Sequence, residues 1–194
     1  MDIRLININK EFDGKKVLQH LDITFRAGTI SCIMGPSGSG KTTLANILMG
    51  LIKPDSGEIQ GLKEVKISAV FQEDRLIEHW DALKNVQLVC GKEITEEVVR
   101  EHFQKVGLEV LTKKPVRSFS GGMRRRVAMV RALLADSDLI LLDEPFKGLD
   151  KTLKHRVISY LLEQTVGKTV IVITHEKEDA KLLGAELHTL EKLN

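Results

Sequence analysis

The chain has 194 residues, 42% of them hydrophobic, which is enough for one domain with a core and an inserted subdomain. Lys+Arg 29 against Asp+Glu 27 leaves a formal charge of +2, which argues against a nucleic-acid-coating protein. Two cysteines, Cys32 and Cys90, exclude a disulfide scaffold; no apolar run approaches the roughly 18 residues of a membrane span, and Met1-Asp2-Ile3-Arg4 does not open a signal peptide, so a cytoplasmic chain is expected.

Residues 3–8 and 17–25 predict strands, the second from the alternation of Leu21, Ile23 and Phe25 with polar residues. Asp13-Gly14 between them is a hairpin signal. Phe12, just before it, suits either stacking on a nucleotide base or ordinary packing. Residues 30–34 predict a short buried strand with Cys32 as a small core residue. Gly35-Pro36-Ser37-Gly38-Ser39-Gly40-Lys41-Thr42-Thr43 follows and fits G-x-x-x-x-G-K-[ST]; behind it Leu44, Ile47, Leu48 and Leu51 recur at helical spacing. A Gly-rich turn between a strand and a helix start aims backbone N–H groups at a phosphate, and the helix dipole adds partial positive charge. Side chains at 35, 38 and 40 would keep a phosphate away. Lys41 then reaches the β/γ-phosphates and the Thr42 hydroxyl can ligate Mg²⁺.

Residues 54–57, Pro-Asp-Ser-Gly, read as a turn, and 66–71 as a strand ending at Gln72, which could bond a metal-bound water. From residue 73 to about 133 the pattern is helical, broken by Gly91 and Gly107. Thr95 is an N-cap candidate, with Val98, Val99, Phe103 and Val106 on one face. Ser120-Gly121-Gly122 opens another helix without a bulky side chain in its first turn, in principle a second anion site. Arg124, Arg125 and Arg126 lie about 100° apart around that helix, so they are expected to face mostly solvent or ion-pair partners. Residues 139–142 are a continuous apolar run, as in a parallel strand buried on both faces. Asp143 and Glu144 follow it, at the strand end where ligands bind in parallel sheets. There Asp143 completes an Mg²⁺ shell and Glu144 orients an attacking water. Asp150 caps a helix over 151–164, 169–173 is a strand, and His175 beyond it faces the same sheet edge, able to contact a γ-phosphate. A helix over 176–183 ends at Gly184. Strands alternating with helices predict an α/β core with a mostly parallel sheet, residues 1–72 and 134–194, interrupted by a helical subdomain at about 73–133.

Together these elements resemble the nucleotide-binding subunit of an ATP-binding cassette (ABC) transporter, over essentially the whole chain. On that resemblance residues 35–43 are the Walker A element, Gln72 the Q-loop, 139–144 the Walker B strand with its catalytic glutamate, and Phe119-Ser120-Gly121-Gly122-Met123 the signature. Gly148-Leu149-Asp150 is the D-loop, His175 the switch histidine and Phe12 the adenine-stacking aromatic. The phrases Phe71-Gln72-Glu73-Asp74, Ser120-Gly121-Gly122-Met123-Arg124 and Asp143-Glu144-Pro145-Phe146 look most like the nitrate/sulfonate/taurine group of importer ATPases.

The resemblance implies a P-loop NTPase core with an N-terminal antiparallel β subdomain, ATP and Mg²⁺ as ligands, and hydrolysis by a head-to-tail pair. In that pair Ser120 and Gly122 of one copy face the γ-phosphate on Lys41 of the other. It also implies a transmembrane permease, a periplasmic or extracellular solute-binding protein for an importer, and no nucleic acid. An exporter or lipoprotein-release ATPase, or a soluble non-transport cassette protein, is the alternative. Phe119 and Met123 depart from the usual Leu and Gln, Lys147 stands where a small residue is usual, and no regulatory extension is expected after the last strand. Leu76, Ile77 and Trp80 either line a groove for the permease or pack within the helical subdomain.

Overall fold

The computed structural model describes residues 1–91, 93–108 and 113–193. It opens with β1 (Ile3–Phe12) and β2 (Lys15–Phe25), an antiparallel hairpin closed by Asp13 and Gly14 at φ 49° and 77°, the left-handed geometry that matches strand twist in two-residue turns. β3 (Ile30–Met34) leads into α1 (Lys41–Leu48). Next comes β4 (Ser56–Gln60), where a turn was expected. The backbone does turn at Asp55, whose N–H donates to the Asn9 carbonyl (2.9 Å), but from Ser56 onward it pairs with β1. Four of the five β4 residues are exposed, so no apolar alternation marks it in the sequence.

Beyond it lie β5 (Ile67–Val70), α2 (Ala82–Gln87), α3 (Glu96–Lys105), a 3₁₀ turn at Val116–Ser118, α4 (Gly121–Leu134) and β6 (Leu139–Asp143). α5 (Lys151–Gln164), β7 (Thr169–Ile173), α6 (Lys177–Leu182) and β8 (Glu186–Thr189) complete the order. β8 is a further strand the sequence pattern did not mark: it is four residues long, mostly exposed, and sits at a sheet edge.

The antiparallel sheet has the order β2-β1-β4; the parallel sheet has the order β5-β6-β7-β3-β8. β6 and β7 lie inside the parallel sheet and are apolar apart from Asp143 at the end of β6 and Thr169 at the start of β7, because both of their faces are covered. Leu139, Leu141, Ile171 and Ile173 pack with α1 and the antiparallel sheet. Ile140, Leu142, Val170 and Val172 pack on the other side with residues of α2 to α6, including Val86, Val99, Phe103, Val127, Val157 and Ala180. Burying each such aliphatic side chain is worth about 1.5–3 kcal/mol, so the two cores clamp the sheet from both faces. Cys32 is fully buried in the helix-side core, and burial pushes its thiol up to about 12.

The helices start where the caps predict. Thr95, Ser120 and Asp150 accept the N–H of Val98 (3.4 Å), Met123 (3.3 Å) and Leu153 (2.9 Å), and Asp81 does the same for Lys84 (2.8 Å). Leu76 is buried in the helix-side core, and the half-buried Trp80 accepts the Val116 N–H on its carbonyl (2.8 Å). Leu76 therefore packs inside the chain rather than lining an outer groove. Among the described residues no helix is long and apolar enough to cross a membrane.

Candidate phosphate-binding site

Because β5, β6, β7 and β3 run parallel, whatever follows each strand arrives on one edge of the sheet: Gln72, Asp143-Glu144, His175 and the glycine loop. A cleft of about 500 Å³ lies there. It is lined by Gly35, Ser37, Gly38, Gly40, Lys41, Thr42, Thr43, Gln72, Asp143, Glu144 and His175, together with Lys15, Val17 and Lys147. Residues from four separate strand ends thus share one cavity.

The loop is held by its own chain. Ser39 N–H donates to the Pro36 carbonyl (3.2 Å), and Lys41 Nζ donates to the carbonyls of Gly35 (2.8 Å) and Pro36 (2.9 Å). Pro36 and the buried Ser39 frame the turn without lining the cleft. A Cβ on Gly35 would sit 2.4 Å from the Leu190 carbonyl oxygen; one on Gly40, at φ 88°, would sit 2.7 Å from Leu18 Cδ2. These two glycines are therefore required by contacts with the rest of the fold, and only Gly38 is left open as phosphate approach alone would demand. No side chain caps α1 at Gly40 and no acidic residue occupies its first turn, so the free N–H groups and positive dipole end belong to the cleft.

Asp143 closes β6 opposite Ile173 and is buried. Burial pushes its carboxyl up and Glu144 adds to the shift, while Arg125 and Lys41 oppose it. Glu144 turns off the strand at φ 51°, with its N–H on the Ile173 carbonyl (2.9 Å). Its carboxylate meets His175 Nδ1 at 2.9 and 3.0 Å, and this hydrogen bond holds the exposed imidazole above its ordinary pKa. The residues flanking His175 are anchored from below. Thr174 Oγ1 donates to Asp179 Oδ2 (2.8 Å), and buried Lys154 pairs with Asp179 (3.0 Å) and Glu176.

The donors fit a hard divalent cation. Thr42, Gln72 and Asp143 border the cleft and also a smaller adjoining recess of about 230 Å³. Among the described residues no three His, Cys, Asp or Glu form a ready-made metal cage. One carboxylate, a hydroxyl and an amide oxygen suit Mg²⁺, which keeps waters and phosphate oxygens as its other ligands. A carboxyl whose charge is penalised by burial is also where a cation is best received.

Besides Pro36 and Ser39, four expected residues stand outside the cleft, Phe12 and the Ser120-Gly121-Gly122 turn. Phe12 is 45% exposed at the hairpin end, in register with Lys15, which does line it. Ser120 and Gly121 are exposed and Gly122 half-buried at the start of α4; the Ser120 hydroxyl is spent on the helix cap, and a Cβ on Gly121 would meet nothing within 4 Å. The 100° spacing does separate the arginines: Arg124 pairs with Glu78 (3.1 Å), and Arg126 bonds the carbonyls of Val106 (3.2 Å) and Gly107 (2.8 Å). Arg126 is thus spent on backbone rather than on solvent or an ion pair, and Arg125, besides its ion pair with Asp74, is drawn inward to the backbone of Gln72 and Glu144. The sequence carried no signal for this, because carbonyl acceptors are the same in every residue.

Fold and cleft together define a P-loop NTPase fold. A profile described as "ABC transporter" matches residues 18–147. The chain is 35% identical to a protein named spermidine/putrescine import ATP-binding protein PotA of Fusobacterium nucleatum, over 92% of this chain and 52% of the relative. It is 38% identical to taurine import ATP-binding protein TauB of Pelagibacter ubique, over 95% of this chain and 76% of the relative. The bacterial ABC transporter cassette MJ0796, solved as a dimer, superposes with a TM-score of 0.86 at 30% identity, covering 98% of this chain and 94% of that one. A second structure of that cassette, in a post-hydrolysis state bound to ADP and Pi, gives 0.85 at 29%, covering 99% and 97%. The chain belongs to the ABC transporter family. It spans only about half the length of the PotA relative.

Proposed function

We propose that the chain is the ATP-binding and ATP-hydrolysing subunit of a membrane ABC transporter that drives uptake of a small solute, working as a head-to-tail pair. The observation that carries this is the shared cleft, where Lys41, Thr42, Gln72, Asp143, Glu144 and His175 converge. Backbone N–H groups of residues 35–43 hold the phosphates, and Lys41 turns from its two loop carbonyls to the β/γ-oxygens. Phe12 stacks on the adenine. Thr42, Gln72 and Asp143 hold Mg²⁺, which neutralises phosphate charge. Glu144 is the base for the attacking water. His175, shared between that carboxylate and the γ-phosphate, reports whether the phosphate is present. Ser120, Gly121 and Gly122 of the second copy cover the exposed end; preorganised donors of this kind are worth about 3–4 kcal/mol each in the transition state.

Import is supported by the relatives named for spermidine/putrescine and taurine import. Pairing is supported by the dimeric cassette that this chain resembles at 30% identity. The chain then sits on the cytoplasmic side of the membrane, held by a permease, with a solute-binding protein outside. Phosphate release from ATP by the purified chain, with and without Mg²⁺, tests the enzyme. Solute uptake into vesicles carrying the co-purifying permease tests the direction. Absence of phosphate release from the paired wild-type chain rejects the proposal.

A further inference from the structure

Arg125 stands five residues beyond Ser120 on α4, with its side chain 11% exposed. Its guanidinium serves three acceptors from two loops: Nε donates to Asp74 Oδ1 (2.5 Å), Nη2 to the Gln72 carbonyl (2.5 Å) and Nη1 to the Glu144 carbonyl (2.8 Å). Gln72 and Glu144 follow the neighbouring strands β5 and β6. Charge balance does not explain the arrangement, since Arg124 also lies 3.8 Å from Asp74. What Arg125 adds is the pair of carbonyl bonds. Glu144 needs them: a non-glycine residue at φ 51° is strained and persists only where its surroundings hold it. Its N–H is tied to Ile173 on one side, and the Arg125 fork ties its carbonyl on the other.

We propose that Arg125 is a positioning residue: its fork locks the backbones of Gln72 and Glu144 to α4 and thereby sets where the Glu144 carboxylate stands over the cleft. A lysine in its place keeps the charge but cannot serve three fixed acceptors in one plane. Because α4 also carries the exposed Ser120-Gly121-Gly122 turn, the guanidinium links that surface to the base through about five residues, roughly 7 Å of helix. The effect on turnover rests on the hydrolysis proposed above; the effect on Glu144 geometry does not.

The test uses Arg125→Lys, Arg125→Gln, and Arg125→Gln combined with Asp74→Asn, which leaves no unpaired buried carboxylate if the single variants fold poorly. Hydrogen exchange at the Glu144 amide is read on the nucleotide-free protein, and kcat and KM on the pair. The expected result is faster Glu144 exchange with α1 amides unchanged, kcat lower by up to about 10²-fold and KM for ATP little altered, with no rescue by lysine. Wild-type exchange in folded variants overturns the proposal, and so does faster exchange with wild-type kcat. If the wild-type chain itself releases no phosphate, the hydrolysis reading fails and the exchange measurement alone decides for or against Arg125.

Discussion

The glycine loop at 35–43 and the Ser120 turn at the head of α4 are made of the same parts, small residues leading into a helix with free N–H groups. They end in opposite situations. The loop is finished by its own chain: Leu190, Leu18 and Val17 close on its glycines, Lys41 bridges its carbonyls, and three other strand ends deliver carboxylates, an amide and an imidazole to the same cleft. The Ser120 turn is exposed, with open space beside Gly121. Equal local physics therefore gives a site in one place and a surface in the other. What separates them is whether the chain brings a second wall. The proposed pairing supplies that wall from another copy.

The largest effect is expected at the finished half. Glu144→Gln keeps the shape but removes the proposed base, so hydrolysis should fall by about 10²–10⁴-fold while ATP still binds and the ATP-bound pair accumulates. Phosphate release and size-exclusion chromatography in ATP check both parts; wild-type turnover would take Glu144 out of its role. Next comes the unfinished half. Ser120 does not line the cleft of its own chain, so in a self-sufficient subunit Ser120→Arg would lose only a helix cap, about 1 kcal/mol of stability. If a second copy must cover the phosphate, turnover should drop by 10²-fold or more on the scale of about 3–4 kcal/mol per lost donor, with nucleotide affinity kept. Unchanged turnover breaks the comparison.

A milder pair sharpens it. Gly40→Ala forces a Cβ at φ 88° against Leu18 and the Val17 carbonyl, so it should cost at least about 1–2 kcal/mol in melting and weaken ATP binding. Gly121→Ala meets nothing within 4 Å and stands in a helix, where Ala is favoured by up to about 1 kcal/mol. Its melting temperature should hold or rise, and any lost turnover would come from the covering copy. Equal melting losses for both would show that the two turns are not differently built.

This contrast also explains what the sequence made legible. The loop is one unbroken phrase, and Asp143-Glu144 and His175 declare themselves by ending apolar strands in a parallel sheet. β4 and β8 stayed hidden because nearly exposed strands show no alternation. Arg125 and Lys154 stayed hidden because their partners lie far along the chain: Gln72 and Glu144 for the one, Glu176 and Asp179 for the other. A basic residue on a helix reads as solvated until the acceptors that bury it are known.

The smallest effect concerns His175, an exposed member of the finished half. Its hydrogen bond to Glu144, reinforced by that carboxylate's charge and more weakly by Glu176 and Asp179, holds the folded imidazole above its ordinary value. A raised folded pKa means that the pairing stabilises fully below the unfolded value of about 6.5 and is lost as the pH climbs through the folded value. Because the side chain is 59% exposed, solvent screens the pair and the melting temperature should change little across that window. The sensitive readout is the His175 ring signal followed by NMR: its titration midpoint should stand above the ordinary value in the wild type and move down in Glu144→Gln. Matching midpoints would mean that imidazole and carboxylate are not paired in solution, and His175 could then reach a phosphate without first releasing the base.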